Sequence, residues 1–466
     1  MTLGLLLLLA VSFPAPGGER FPPGEIVPRV VCEGEPDQSY ALYLPTAYVE
    51  TRTWPVLYLY DPRKRGPLAV ERFREAAERY GWILAGSNNT LSDGPAAPNV
   101  AAMKAVWSDT HRRFAIDPRR VYAGGFSGGA RSAVLLAQQT QGSVAGVVAV
   151  GGGFPGGGAP AKSVSFAVFG AVGNLDFNYG EMRRLDRALG KLGAVHRLAV
   201  FEGPHSWCPA AVCAEGIEWL ELAAMKEGRR PKDAALVERL LRERLERAAF
   251  AEAAGRPTEA YRRAAEAAED FRGLSDTKEA EDRAQRLGRL AAVGKELAEE
   301  EKRDEAEERL VERRWQDLKT ALESDPPPPV KAIANQLRVG SLRRDAGAGR
   351  PEPERLSAAR VIEALFVQTA FYLPRDLAAK HDWLRAELST GVAAELKPER
   401  AGAVFYDLAC FRALAGDRKG ALGSLRAAVE KGFRDVALVE TDPDLASLRG
   451  EKDYLAIVQE LKKPTS

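Results

Sequence analysis

The candidate chemistry of this chain centres on a serine in a glycine-rich turn. Residues 125–129 read Gly-Phe-Ser-Gly-Gly, which fits the pattern Gly-x-Ser-x-Gly. In this pattern a strand turns sharply into a helix, so that one serine hydroxyl stands clear of the backbone. β-Forming residues precede the serine at 120–123, and a helix-forming run follows it at 131–137. The sequence therefore predicts Ser127 as a nucleophile and the Gly128 amide as an oxyanion donor at a helix N-terminus. The alternative is a small-residue turn without chemistry.

The pool of candidate bases is small, because the chain has four histidines. A serine hydroxyl needs a base that accepts its proton before it becomes a good nucleophile. His205 lies in a Gly-Pro loop directly after the last predicted strand, and such loops face the ligand site of a parallel sheet. His111 lies within a helix, His196 precedes a strand and His381 lies in the helical half of the chain. We therefore predict His205 as the base.

A carboxylate must orient the base, and in this arrangement it falls between serine and histidine in the chain. Asp176 lies in a Gly-Asn loop soon after a predicted strand that ends at Phe169. Glu181 and Asp186 belong to the helix that follows, where a solvated position is expected. We predict Asp176 as the acid and keep Glu181 as the second candidate. Capping of the following helix is the structural alternative for Asp176.

The second oxyanion donor is expected from the loop after the third strand. That loop begins Asp61-Pro62-Arg63, and proline has no N–H to donate. The Arg63 amide is therefore the predicted donor. Asn88 and Asn89 end the neighbouring strand and could line the substrate pocket, or could only cap their loop.

The elements that must position these residues alternate between strand and helix in the first half of the chain. The run 54–60 is almost wholly apolar, as expected of a strand buried on both faces. Such alternation predicts a mainly parallel α/β sheet covered by helices. The predicted strands are 25–32, 39–45, 54–60, 81–86, 120–123, 144–150, 163–169 and 197–201.

The composition changes after a predicted linker at 226–231. From residue 234 the chain is rich in Ala, Glu, Arg and Leu and has few strand formers, which predicts helices. Four consecutive prolines at 326–329 interrupt this helical half. The predicted domains are a signal peptide at 1–18, an α/β domain at 19–228 and helical regions at 233–325 and 330–466.

Two segments of the helical half, 248–261 and 409–422, can be aligned with each other. Each reads as a helix, a Gly-centred turn and a second helix. This pattern resembles the turn region of tetratricopeptide repeats, although the spacing gives no regular array. Stacked repeats would form a groove for a peptide or protein partner. The alternative is a pair of generic helical hairpins.

The apolar run 3–11 at the N-terminus is too short to span a membrane and resembles a secretory signal peptide. No Lys or Arg precedes it, which departs from the usual pattern. We expect a secreted or periplasmic protein without stable membrane insertion after cleavage. An uncleaved N-terminal anchor is the alternative.

Charge and cysteine content exclude several function classes. The formal net charge of +1 gives no basis for a nucleic-acid partner. The four cysteines, Cys32, Cys208, Cys213 and Cys410, are not spaced as a zinc site, so we expect no metal and no cofactor. Cys208 and Cys213 are close enough in sequence for a disulfide in an exported protein, and two free thiols are the equal alternative.

With these residues in place, residues 36–222 resemble the α/β-hydrolase superfamily. They are most similar to its secreted esterase branch, which includes polyhydroxybutyrate depolymerase-like, feruloyl-esterase-like and dienelactone-hydrolase-like members. The segments that carry the resemblance are 39–45 (Ser-Tyr-Ala-Leu-Tyr-Leu-Pro), 116–122 (Ile-Asp-Pro-Arg-Arg-Val-Tyr), the serine motif, Asp176 and 205–207 (His-Ser-Trp). The third strand ends in Asp-Pro where many relatives have His-Gly.

The resemblance implies a serine carboxylic ester hydrolase in which Ser127, His205 and Asp176 form an acyl-enzyme and hydrolyse it. A peptidase or thioesterase on the same fold uses the same parts. A catalytically idle hydrolase fold that binds a partner through its helical half is the alternative from another class. The motifs do not specify the acyl or alcohol group.

Overall fold

The computed structural model describes residues 20–160, 162 and 164–462 of the chain. The predicted signal peptide, residues 1–18, lies outside these described residues. The chain divides into two compact units, Met1–Glu301 and Lys302–Ser466.

An eight-stranded sheet lies at the centre of the first unit. Its strands are β1 (Ile26–Cys32), β2 (Glu35–Tyr43), β3 (Trp54–Tyr60), β4 (Ile83–Ser87), β5 (Ile116–Phe126), β6 (Gly146–Val150), β7 (Ala167–Gly173) and β8 (His196–Phe201). Their order in the sheet is β1-β2-β4-β3-β5-β6-β7-β8. Strand β2 pairs antiparallel with β1 and β4, and every other neighbouring pair is parallel. The carboxyl ends of β3 to β8 therefore meet at one edge.

Helices cover both faces of this sheet. They are α1 (Gly66–Tyr80), α2 (Ala96–Arg113), α3 (Gly128–Gln139), α4 (Tyr179–Lys191) and α5 (Ala210–Lys226). All seven residues of β3 are buried. Val56 and Tyr58 join the apolar cluster on one face, while Leu57 and Leu59 join the cluster on the other. The sheet needs apolar side chains on both faces, which explains the continuous apolar run. The predicted α/β architecture, a mainly parallel sheet followed by helices, is confirmed.

Further helices of the first unit pack against the α/β core. They are α6 (Ala234–Ala253), α7 (Pro257–Phe271) and α8 (Lys278–Gly288), followed by α9 (Ala291–Glu323), in which the first unit ends. Met225 of α5 shares an apolar cluster with Leu240 of α6 and Phe271 of α7. Asp270 of α7 pairs with Arg197 of β8. The predicted linker coincides with the turn between α5 and α6, and independent folding of residues 19–228 stays a prediction.

The second unit is helical throughout its described residues, apart from short turns. Its helices after α9 are α10 (Val330–Gln336), α11 (Val339–Asp345), α12 (Glu352–Val367), α13 (Leu373–Ala379), α14 (Trp383–Leu396), α15 (Ala401–Leu414), α16 (Arg418–Glu430), α17 (Val436–Thr441) and α18 (Lys452–Leu461). Helices α15 and α16 form a hairpin around Gly416, whose φ of 86° is left-handed. Helices α6 and α7 form a similar hairpin around Gly255, with a φ of 71°. Both segments that resemble tetratricopeptide repeats are thus helical hairpins, and the repeat family stays a prediction.

One helical run among the described residues, Glu352–Ala379, is long and apolar enough to cross a membrane. Its side chains Val361, Leu365 and Phe366 are buried in an apolar cluster of the second unit. A core helix of a globular unit has the same composition, so length and hydropathy are weak evidence for a membrane span here. The absence of stable membrane insertion stays a prediction.

Candidate active site

Ser127 occupies the turn between β5 and α3 with a strained backbone. Its φ of 55° and ψ of −120° lie outside the regions that residues with a side chain normally adopt. Its N–H donates to the Val150 carbonyl at 2.8 Å, which ties the turn to the end of β6. Strain of this kind persists where the surrounding structure enforces it, and it is concentrated at functional sites. The turn holds the serine at the carboxyl edge of the sheet.

Two glycines make this turn possible for steric reasons. A Cβ added to Gly125 would lie 2.3 Å from the carbonyl carbon of Gly129. A Cβ added to Gly129 would lie 1.9 Å from the carbonyl oxygen of Tyr60 at the end of β3. Helix α3 therefore approaches β3 and β5 so closely that neither position can carry a side chain. The glycines of the motif serve this close packing.

His205 joins Ser127 to Asp176 through hydrogen bonds. Its Nε2 lies 2.9 Å from Ser127 Oγ, and its Nδ1 lies 2.8 Å from Asp176 Oδ1. Asp176 is fully buried, while the His205 side chain keeps 19% exposure. The three residues follow β5, β7 and β8, so parallel strands bring together positions up to 78 residues apart. In this geometry the imidazole can accept the serine proton while the carboxylate holds the opposite ring nitrogen.

Aromatic rings fix the orientation of the His205 imidazole. The ring centroid of Phe126 lies 4.6 Å from that of His205, and the centroid of Phe177 lies 4.2 Å away. Phe126 also packs against Trp207, at 5.8 Å between centroids. Sequence reasoning did not identify Phe126 and Phe177 as contacts of the base. Their positions next to Ser127 and Asp176 in the chain are the signal that could have found them.

The loop after β6 passes directly beside the same three residues. Gly151 has a φ of 58°, and a Cβ added there would lie 2.9 Å from Asp176 Oδ2 and 3.2 Å from His205 Cε1. Its carbonyl oxygen accepts a hydrogen bond from Asn178 Nδ2 at 2.7 Å. A side chain at position 151 would displace His205 or Asp176. Close packing against Asp176 and His205 therefore accounts for the glycine at position 151.

The two predicted oxyanion donors differ in their surroundings. Gly128 is the first residue of α3, so its N–H has no acceptor within the helix and is available to a ligand. The Arg63 N–H instead donates to Asp61 Oδ1 at 2.8 Å, inside its own turn. The geometry does not support the oxyanion role that the sequence suggested for the Arg63 amide. The physical reason is the carboxylate of Asp61, which satisfies this donor.

Asp61 is buried at the end of β3 and organises the loops around it. Its carboxylate pairs with Arg65 through two hydrogen bonds, of 2.9 and 3.0 Å. It also accepts a hydrogen bond of 2.8 Å from Trp207 Nε1, two residues beyond His205. The aspartate thereby connects the loop after β3 with the loop that carries His205. The unusual Asp-Pro at this position in the sequence was the signal for this arrangement.

Asn88 and Asn89 hold the loop after β4 to the neighbouring strands. Asn88 Nδ2 donates to the Pro28 carbonyl at 3.1 Å and to Ser39 Oγ at 3.3 Å. Asn89 Oδ1 accepts from the Ser39 N–H at 2.9 Å. These bonds engage Asn88 Nδ2 with the sheet. A role for Asn88 in lining the substrate pocket stays a prediction.

The other carboxylates and histidines considered from the sequence have different partners. Glu181 Oε1 and Oε2 accept from the Arg131 guanidinium at 2.7 and 2.8 Å. His196 Nε2 lies 3.4 Å from Asp186 Oδ1. His111 stacks on a tryptophan of its own helix, and burial lowers the pKa of its imidazole. These contacts are consistent with structural roles for Glu181, His196 and His111.

The cysteines take no part in the hydrogen bonds that join Ser127, His205 and Asp176. Cys208 and Cys213 are buried with their Sγ atoms 3.1 Å apart and unbonded, so a disulfide stays a prediction. In the second unit, Cys410, Asp442 and Asp444 present ligand atoms within 4.8 Å of one another. Asp442 accepts from the Asp444 N–H at 3.0 Å, and burial raises the pKa of the Cys410 thiol. Helix capping and burial account for this group.

No protein-family model matches the chain, and no curated protein matches it. Among solved structures it is similar to a ferulic acid esterase, with 14% identity over 41% of this chain and 94% of the other, at a TM-score of 0.34. It is similar to S-formylglutathione hydrolase from Staphylococcus aureus, with 12% identity over 44% and 99% and a TM-score of 0.35. A thermophilic esterase from Thermogutta terrifontis matches with 15% identity over 44% and 95% and a TM-score of 0.33.

With identities of 15% or less and TM-scores of 0.35 or less, these similarities leave both the fold and the reaction of this chain to its own residues. The chemistry is therefore inferred from the hydrogen bonds among Ser127, His205 and Asp176 and from the strained turn that presents the serine. The structure itself shows a mainly parallel, eight-stranded α/β sheet covered by helices in the first unit, with a helical region after it in the chain.

Proposed function

We propose that this protein is a serine hydrolase acting on carboxylic esters. The observation that carries the proposal is the continuous hydrogen-bonded path from Ser127 Oγ through His205 to the buried carboxylate of Asp176. A hydroxyl, an imidazole and a buried carboxylate in this order form the usual machinery of acyl transfer, and they need no cofactor.

In the first half of the reaction, Ser127 Oγ attacks the ester carbonyl carbon while His205 Nε2 accepts the hydroxyl proton. The electron pair of the carbonyl π bond moves to its oxygen, and the Gly128 N–H stabilises the resulting oxyanion. The intermediate collapses when the carbonyl re-forms and the bond to the alcohol oxygen breaks. His205 gives its proton to the departing alcohol, which leaves an acyl group on Ser127.

Hydrolysis of the acyl-enzyme repeats these steps with water. His205 accepts a proton from water as its oxygen attacks the acyl carbon, and then returns the proton to Ser127 Oγ as the acid leaves. Asp176 stabilises the imidazolium in both halves without accepting a proton itself. The flanking rings of Phe126 and Phe177 keep the imidazole in place during the transfer.

A fluorophosphonate probe tests the proposal directly. The probe should label Ser127 in the wild-type protein and should fail to label Ser127→Ala, as shown by mass spectrometry of the modified peptide. Turnover of p-nitrophenyl esters of graded acyl length should disappear in the same variant. An unlabelled wild-type protein without turnover would favour the idle fold. Preferential turnover of thioesters or peptides would assign the same machinery to another acyl donor.

We also propose export and a binding role for the helical half. The apolar run at 3–11 supports cleavage of a signal peptide and a secreted or periplasmic location. The helical hairpins at Gly255 and Gly416 support a peptide or protein partner, if they belong to a repeat array. N-terminal sequencing of the exported protein tests the first proposal. Pull-down with the full chain tests whether the helical half binds a partner.

A further inference from the structure

Ser92, in the loop between β4 and α2, lies against the turn that carries the nucleophile. A Cβ added to Gly128 would lie 1.8 Å from Ser92 Oγ and 2.8 Å from Ser92 Cβ. The Ser92 hydroxyl therefore occupies the space that a side chain at position 128 would fill. The residue after Ser127 is a glycine because another loop of the chain places a hydroxyl there.

Backbone hydrogen bonds hold Ser92 in this position. The Ser92 N–H donates to the Pro62 carbonyl at 2.9 Å, and the Lys64 N–H donates to the Thr90 carbonyl at 3.0 Å. A β-bridge joins Arg63 to the residue before Ser92. The loop that carries Ser92 is thus paired with the loop after β3, where the second oxyanion donor was expected.

The Ser92 hydroxyl is buried, and Oγ has no hydrogen-bond partner among the described residues. Buried hydroxyl groups are nearly always hydrogen-bonded, so an unpaired one beside a nucleophile indicates a partner supplied by a ligand. The backbone of the loop after β3 does not supply a free donor in place of this hydroxyl. Pro62 lacks an N–H, and the amides of Arg63 and Lys64 donate within the protein.

We propose that the Ser92 hydroxyl is a side-chain donor of the oxyanion hole, acting beside the Gly128 N–H. The inference rests on the proposed ester hydrolysis at Ser127. When Ser127 Oγ bonds to the carbonyl carbon, the carbonyl oxygen gains the π electron pair and a full negative charge. Ser92 donates its O–H to that oxygen without transferring the proton. The donor is released when the carbonyl re-forms and the alcohol leaves.

The test is the steady-state kinetics of Ser92→Ala on a p-nitrophenyl ester, with Ser143→Ala as the matched control. Loss of one oxyanion donor should lower kcat by about 10²- to 10³-fold. KM should change little, because the donor acts on charge that develops after binding. Ser143 lies before β6, at the opposite end of the strands, and its variant should keep wild-type kcat. Ser92→Gly removes the same hydroxyl and should show the same loss.

A transition-state analogue separates this role from a structural one. A trifluoromethyl ketone forms a tetrahedral adduct with an oxyanion, and its inhibition constant should rise by the same factor as kcat falls. Thermal unfolding of Ser92→Ala should match that of wild type, because the hydroxyl has no bond to lose. Wild-type kcat in both Ser92 variants would overturn this inference alone. A wild type that neither hydrolyses esters nor reacts with fluorophosphonate would overturn the proposed function together with this inference.

Discussion

Two aspartates in similar turns, one in each unit, have different surroundings. Asp176 Oδ1 accepts a hydrogen bond of 2.7 Å from the Asn178 N–H just before α4. Asp417 Oδ1 accepts one of 2.9 Å from the Gly420 N–H at the start of α16. Both residues follow glycine-containing segments, and each accepts a backbone N–H close to the start of the following helix. The local sequence therefore gives both aspartates the same kind of backbone contact.

Long-range contacts create the difference between them. Asp176 is fully buried and faces His205, which arrives from a loop 29 residues later. Asp417 keeps partial exposure and has Arg412 of the preceding helix as its charged neighbour, 3.7 Å away. A parallel sheet gathers the ends of distant strands at one edge, whereas a helical hairpin brings together residues close in sequence. Hydrogen bonding of an aspartate near a helix start is thus a local property, whereas the proposed catalysis is a property of the sheet edge.

The largest effect is expected from removing the base at the sheet edge. His205→Gln should lower kcat/KM by at least about 10⁴-fold, because Ser127 then has no proton acceptor. His196→Gln is the matched control, since this histidine begins β8 in the same sheet and contacts Asp186. Steady-state turnover of a p-nitrophenyl ester measures both variants. Equal activity in the two histidine variants would contradict a catalytic role for His205.

A smaller but still large effect is expected from changing the aspartate of the sheet edge. Asp176→Asn should lower kcat by about 10⁴-fold, because an amide favours the wrong imidazole tautomer. Glu181→Gln should retain most activity, since its carboxylate pairs with Arg131. Asp417→Asn should retain full activity. Loss of turnover in Glu181→Gln with full activity in Asp176→Asn would reassign the acid.

Truncation compares the sheet with the helices packed on it. A fragment of residues 19–301 should be more stable than one of residues 19–228 by at least about 3 kcal/mol. The shorter fragment exposes Met225 and leaves Arg197 without Asp270. Chemical denaturation measures both fragments, and turnover of a small ester shows whether each retains its site. Equal stability would support the boundary that the sequence predicts after residue 228.

The smallest effect is expected from the helical hairpin. Asp417→Ala should destabilise the second unit by about 1 kcal/mol through loss of a helix cap. Ester turnover should not change, because all residues of the proposed machinery belong to the first unit. Denaturation of the full chain, followed by helical circular dichroism, measures the loss. A variant as stable as wild type would show that the cap contributes nothing measurable to this hairpin.

Features of this protein that depend on local geometry can be predicted from its residues alone. Alternating apolar strands and helices specified the α/β sheet, because each period fits only one kind of element. The glycines around Ser127 specified a sharp turn, because only small residues fit there. Chain order and the ends of predicted strands selected His205 and Asp176, since the carboxyl ends of parallel strands meet at one edge.

The hydrogen-bond partners of individual polar groups, by contrast, depend on long-range packing. The buried Asp61 carboxylate bonds the Arg63 N–H and also Trp207 Nε1, which comes from a loop 146 residues later. Glu181 lies five residues from Asp176, and Arg131 from another helix pairs with it. Ser92 carries no motif, and only the pairing of two loops brings its hydroxyl to the nucleophile turn. Such outcomes depend on neighbours remote in sequence, whose approach no local pattern encodes.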